Sequence, residues 1–198
     1  MNTLTRIARS ARFLLPLLLL VAACEGGDII LNLDVYSFLE PEDLEESYLA
    51  TLPATGNWIP LVGIIPPREI NLIDGLGGAT IPVEGVLHVE GEFENRSGVA
   101  SARIEVHLAG SAAAAQSSLS PLLRIPVDLQ DGVTNGFAES MDLDEETLRL
   151  FTANSIWVRL DAWAMIPAGP LTMDMDGTAR LTGLRIRILT NEDLIRGE

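Results

Sequence analysis

The chain has 198 residues, 47% hydrophobic and 5% aromatic, with 13 basic residues against 28 acidic ones and a net charge of −15 at pH 7. A field of that sign repels nucleic acid and anionic headgroups and favours solubility, which excludes nucleic-acid partners. The single cysteine leaves no disulfide partner and no second thiol for a metal site, and the length suits one domain.

Arg6, Arg9 and Arg12 precede an apolar stretch from Phe13 to Ala23 that ends in small residues, the layout of a secretory signal peptide. The apolar part is about half the roughly 20 residues of a spanning helix, so a permanent transmembrane anchor is not expected. Val21-Ala22-Ala23-Cys24 resembles the lipobox of bacterial lipoproteins, with Val21 in the position where Leu is usual. The resemblance implies a diacylglyceryl thioether on Cys24, cleavage between Ala23 and Cys24, and acylation of the new amino terminus. The alternative is an ordinary cysteine beside a conventional cleavage site, which would leave an exported protein with a free thiol. Two or three acyl chains hold a protein on a bilayer, each buried methylene adding about 0.8 kcal/mol. On this reading residues 1–23 are signal peptide, 24–28 are the lipidated cysteine and a short linker, and 29–198 are one β-sandwich domain. Removing residues 1–23 leaves ten basic residues against 28 acidic ones, a charge of −18. Glu25, where Asp would favour inner-membrane retention in enteric bacteria, implies by the same resemblance the outer membrane, at its periplasmic face or at the cell surface. The partner expected from the anchor is the membrane itself.

Period-two alternation dominates the rest of the chain. "IILNLDVY" sets Ile29, Leu31, Leu33 and Val35 on one face against Asn32 and Asp34. "PEDLEESYL", Pro41 to Leu49, reads as a short helix, and "TLPATGNWIPLVGIIPP" after it as a long covering loop rich in Pro and Gly. Its Trp58, Ile59, Leu61, Val62, Ile64 and Ile65 are expected to cover the end of the core or to dip into the bilayer. Val83 to Ala109 reads as a hairpin turning at Asn95-Arg96-Ser97-Gly98. In that register Val89 opposes Ile104 and Leu87 opposes Val106 inside, while Glu90 meets Arg103 and His88 meets Glu105 outside. "LLRIPVDL" alternates Leu123, Ile125, Val127 and Leu129 with polar positions, and Pro126 points to an edge position or a bulge. "DEETLRLF", Asp144 to Phe151, reads as a short helix, and Thr190 to Glu198 as a last turn. Asp176-Gly177 is expected to turn a hairpin between runs at 170–176 and 178–189. With runs near 69–74, 136–141 and 155–165 this gives eight or nine strands: an all-β, two-sheet antiparallel sandwich, Ig-like or jelly-roll, with one or two short helices.

Three groups of residues carry candidate chemistry. His88 and His107, diagonal across the expected hairpin with Glu105 beside them, form a weak metal-like constellation; ordinary solvated imidazoles are the plainer reading. Trp157, Arg159, Asp161 and Trp163 share one face of "NSIWVRLDAWAM" and are candidate ligand-binding residues, since exposed aromatics flanked by charge stack sugar rings or peptide groups. The two indoles are about 20 Å apart along a strand, which predicts instead that a loop or short helix covers them. "TMDMDGT" lacks the remaining ligands of a calcium loop. There is no Gly-x-Ser-x-Gly, no phosphate-cradling glycine loop and no His-Glu-x-x-His, so neither enzyme activity nor a cofactor is expected. The reading that follows is a lipid-anchored envelope protein with a structural or protein-binding sandwich. A carbohydrate-binding module is the alternative, and a hydrolase or metal-binding protein using His88 and His107 is a more distant one.

Overall fold

The structure, a computed structural model, describes residues 28–39, 44–72 and 82–191. Along them run β1 (Asp28–Asp34), β2 (Glu45–Pro53), β3 (Ile59–Asn71), β4 (Pro82–Ser97), β5 (Ala100–Ala109), β6 (Leu123–Leu129), β7 (Val133–Asp142), β8 (Ser155–Met165) and β9 (Thr172–Asn191). Two short helices, α1 (Ala112–Ser117) and α2 (Glu145–Arg149), complete the described elements with two 3-10 turns. Antiparallel pairing gives two packed sheets. The first has the order β7-β4-β9, with β1 and β2 sharing the far edge of β9; the second has the order β3-β8-β5-β6.

The connectivity decides between the two sandwich types. Strands β2 to β5 and β6 to β9 are the arms of one long antiparallel hairpin, in which β5 pairs β6, β4 pairs β7, β3 pairs β8 and β2 pairs β9. Successive pairs fall alternately in the second and the first sheet, so the hairpin is rolled up, which is the jelly roll. The inward positions of both sheets meet in one core. Leu87, Val89 and Phe93 of β4 and Leu181, Leu184 and Ile186 of β9 face Ile104 and Val106 of β5 and Val158 and Leu160 of β8, all buried. Phe93 packs against the rings of Tyr48 and Phe137 at centroid distances of 6.3 and 6.0 Å.

Several local expectations are corrected by these long-range pairings. The Val83–Ala109 hairpin does not form: β4 lies between β9 and β7 in the first sheet, and β5 between β8 and β6 in the second. Ser97-Gly98-Val99 is a corner between sheets. Gly98 has φ +88, and a Cβ there would lie 2.4 Å from Met175 Sδ and 2.7 Å from the Asp174 carbonyl. Asn95, 1% exposed, ties the corner: its amide donates to the Gly98 and Gln130 carbonyls at 2.7 and 2.9 Å and its oxygen accepts from Tyr48 Oη at 3.0 Å. Alternating residues suit either arrangement, because alternation says which face is apolar and not which strand lies alongside.

Asp176-Gly177 is likewise no turn. Both lie within the 20 residues of β9, and Gly177 is needed because the Tyr48 ring crosses it: a Cβ would meet Tyr48 Oη at 2.2 Å and the Glu94 carbonyl at 2.5 Å. The inward phase of β9 slips between Leu181 and Leu184, where the register with β4 shifts across Glu90 and Gly91, a β-bulge. Residues 45–49, expected to be helical, are strand, paired to β9 and supported by the Glu45–Arg180 ion pair and the 2.6 Å bond from Thr51 to Asp174. Residues 41–43 of that segment lie outside the described residues. The expected covering loop is the end of β2 and most of β3, whose Ile64 and Ile65 are core residues. Pro60, Pro66 and Pro67 are tolerated because β3 is an edge strand with three register shifts. Thr190 and Asn191 end β9, and the remainder of the expected final turn lies outside the described residues.

Other expectations match. Pro126 sits on β6, an edge of the second sheet. Asp144 caps α2, its carboxylate accepting from Thr147 N–H at 2.8 Å, and the helix runs on as a 3-10 turn at Leu150–Thr152.

Candidate functional site

The outer face of the second sheet gathers the side chains singled out on β8. In register with β5, Trp157 lies opposite Ala109, Arg159 opposite His107, Asp161 opposite Glu105 and Trp163 opposite Arg103. Two carboxylates face each other in this ladder, which is unfavourable unless each has its own cation. Glu105, 4% exposed, is held by Arg103 Nη2 at 2.9 Å and Arg124 Nε at 3.1 Å, while Asp161 pairs with Arg159 Nε at 2.8 Å. Burial nevertheless pushes the Asp161 carboxyl above its ordinary value, with the Glu105 charge adding to the effect and Arg159 opposing it.

Helix α1 roofs this network. Ser111 caps its start, accepting from Ala114 N–H, and Ala115 is fully buried against the sheet. Arg159 reaches the helix end, where carbonyls lack intrahelical partners. Its Nη1 donates to the Ala115 and Gln116 carbonyls at 2.6 and 2.7 Å, and its Nη2 to the Ser118 carbonyl at 3.1 Å and to His107 Nε2 at 3.0 Å. A guanidinium only donates, so His107 Nε2 accepts and the ring proton sits on Nδ1. Burial lowers the His107 pKa to about 4, with Arg159 pushing the same way, so the imidazole is neutral at pH 7.

Beyond the roof, the Arg103 guanidinium lies between two indoles, 4.3 Å from the Trp58 ring centroid and 5.5 Å from that of Trp163. Trp58, Trp163 and Arg103 are all half-buried, and Trp163 Nε1 is buried without a hydrogen-bond partner. Trp58 and Arg103 are members of this cluster that alternation alone does not group with β8. The signal that could have found Trp58 is its place beside a strand that pairs β8, with Ile59 opposite Ala164.

His88 and His107 are not brought together. His107 lies under α1 on the second sheet, whereas His88 lies on the outer face of the first, beside Ser140 of β7. The shared-ion arrangement with Glu105 therefore does not exist, because the hairpin that would have created it is replaced by a sheet-crossing corner. Among the described residues no group of three or more His, Cys, Asp or Glu is placed to hold a metal ion. The Nε2 lone pair of His107 is already engaged by Arg159. Cys24 lies outside the described residues.

No protein-family model matches the chain, and no curated protein matches it. Among solved structures it is similar to the infectious bursal disease virus Gx strain, with a TM-score of 0.44 and 11% identity over 85% of this chain and 38% of that one. It is similar as well to the VP2 subviral particle of that virus, with a TM-score of 0.41 and 9% identity over 85% of this chain and 39% of the other. The chain thus spans about two fifths of the length of these structures.

Proposed function

We propose that this chain is a lipid-anchored envelope protein, fixed to a membrane through Cys24 and presenting its jelly roll as a protein-binding module. The observation that carries the reading is Val21-Ala22-Ala23-Cys24 at the end of a short apolar leader, four residues before the start of β1 at Asp28. Four extended residues reach about 14 Å, so the domain sits close to the bilayer and not on a long tether. A protein partner is favoured over a glycan by the state of the β8 face. Arg159 and much of Asp161 are spent on α1 and on each other, and Arg103 occupies the space between Trp58 and Trp163, which a sugar ring would need. Leu119, 93% exposed on the loop after α1, adds to the same side an apolar contact of the kind interfaces bury.

Intact mass and fractionation of the native protein test the anchor. Acyl mass on Cys24, recovery in the membrane fraction, and release on Cys24→Ala are expected; an unmodified mass overturns it. Detergent-solubilised protein is expected to retain a stoichiometric partner that Leu119→Glu loses. Retention of that partner by Leu119→Glu refutes the choice of face.

A further inference from the structure

The outer face of the first sheet carries a second cluster, independent of the anchor and of the α1 face. One cross-strand row runs Ser140 of β7, His88 of β4, Arg185 of β9 and Asp34 of β1. The next row is Asp142, Val86, Arg187 and Asn32. Val86 is short between longer neighbours, and the hollow above it has a volume of about 300 Å³, with Asn32, Asp34, His88, Ser140, Arg185 and Arg187 in its wall. Among the described residues Arg185 and Arg187 enter no ion pair or side-chain hydrogen bond, while the charge of Arg185 acts on the nearby Glu90.

The hydrogen bonds of His88 fix the tautomer of its neutral ring. Its Nε2 is bonded to a Glu90 carboxylate oxygen, and its Nδ1 lies 2.7 Å from Ser140 Oγ. A carboxylate only accepts, so Nε2 carries the ring proton. In the neutral ring Nδ1 is then a bare lone pair, and the Ser140 hydroxyl donates to it. The order hydroxyl, imidazole, carboxylate is that of a nucleophile, its base and the group that orients the base. The two ring nitrogens exchange their usual roles, which the chemistry permits because either is basic when the other is protonated. All three residues stand on adjacent strands held in register, so the arrangement is built on rigid elements.

We propose that Ser140, His88 and Glu90 form a nucleophilic triad that hydrolyses small carboxylic esters bearing an anionic group. Ser140 Oγ bonds the carbonyl carbon while His88 Nδ1 takes its proton, and the negative charge that develops on the carbonyl oxygen faces Arg185. Collapse breaks the bond to the alcohol oxygen, which leaves with the proton from His88. Water then gives a proton to His88 and attacks the acyl carbon; the carboxylic acid departs and the proton returns to Ser140. Arg187 meets the anionic group of the substrate.

Two assays on the purified protein test this: labelling by a fluorophosphonate followed by peptide mapping, and hydrolysis of p-nitrophenyl acetate and p-nitrophenyl succinate. An adduct on Ser140 is expected that Ser140→Ala abolishes, that His88→Gln slows about 100-fold or more, and that Glu90→Gln also slows. Each variant is matched to the parent by near-ultraviolet circular dichroism, so that loss of labelling is not loss of fold. Arg187→Gln is expected to raise KM for the succinate ester more than that for the acetate ester; equal effects overturn the choice of anionic esters. No adduct on the parent protein, or an adduct on Ser140 formed as fast in His88→Gln, overturns the triad.

Discussion

His107 makes the stability of this sandwich depend on pH in a direction that can be derived from its surroundings. The imidazole is 2% exposed, faces Arg159 through Nε2, and has the Glu105 and Asp161 carboxylates 3.9 and 3.6 Å from the same nitrogen. Arg103 and Arg124 neutralise Glu105, and Arg159 neutralises Asp161, so burial and the facing guanidinium prevail and the folded pKa falls from 6.5 to about 4. The unfolded chain therefore binds the proton first as pH drops. The stability contributed by the neutral ring is complete above 6.5 and is lost as pH falls toward 4. Linkage over the window from pH 7 to pH 5 gives a loss of about 2 kcal/mol. Asp161, shifted upward by burial, contributes with the opposite sign, gaining stability as pH falls toward and through its raised folded value. Urea unfolding followed by tryptophan fluorescence at pH 7, 6 and 5 reads the loss. His107→Gln retains an acceptor for Arg159 but cannot titrate, so the difference between the two proteins isolates this residue from every other titrating group. Parallel pH dependences for parent and variant would refute the reasoning.

Two structural predictions accompany it. Gly177→Ala drives a methyl group into the Tyr48 ring and the Glu94 carbonyl, and is expected to cost about 3 kcal/mol in urea unfolding; adding Tyr48→Phe recovers only part of this, because the backbone contact remains. Arg159→Met strips three carbonyls after Gly110 and the Asp161 carboxylate of their donor, with an expected loss of about 3 kcal/mol and faster hydrogen exchange in α1 than in β5, and uniform protection across both would argue against its role as the pin of the roof.

The sequence by itself determined which faces of β5, β6 and β8 are apolar, that the domain is an all-β sandwich, where α2 starts, and that Pro126 belongs on an edge or at a bulge. Those are properties of a few neighbouring residues: the period-two pattern, a capping Asp144, and a proline without an amide donor. It also marked Trp157, Arg159, Asp161 and Trp163 as one face, and pointed to a loop or short helix over them. What only the tertiary structure decided is which strands lie side by side. Glu45–Pro53 has helix-forming residues and becomes strand because β9 offers it a complete edge. Val83–Ala109 could close locally and instead divides between sheets, because β4 finds β9 and β7 at long range while a buried Asn95 and Gly98 turn the corner. Both the Trp58–Arg103–Trp163 stack and the row from Ser140 through His88 to Arg185 follow from that choice. Alternation carries no information about neighbours, and each of these groups is assembled from strands far apart in the chain.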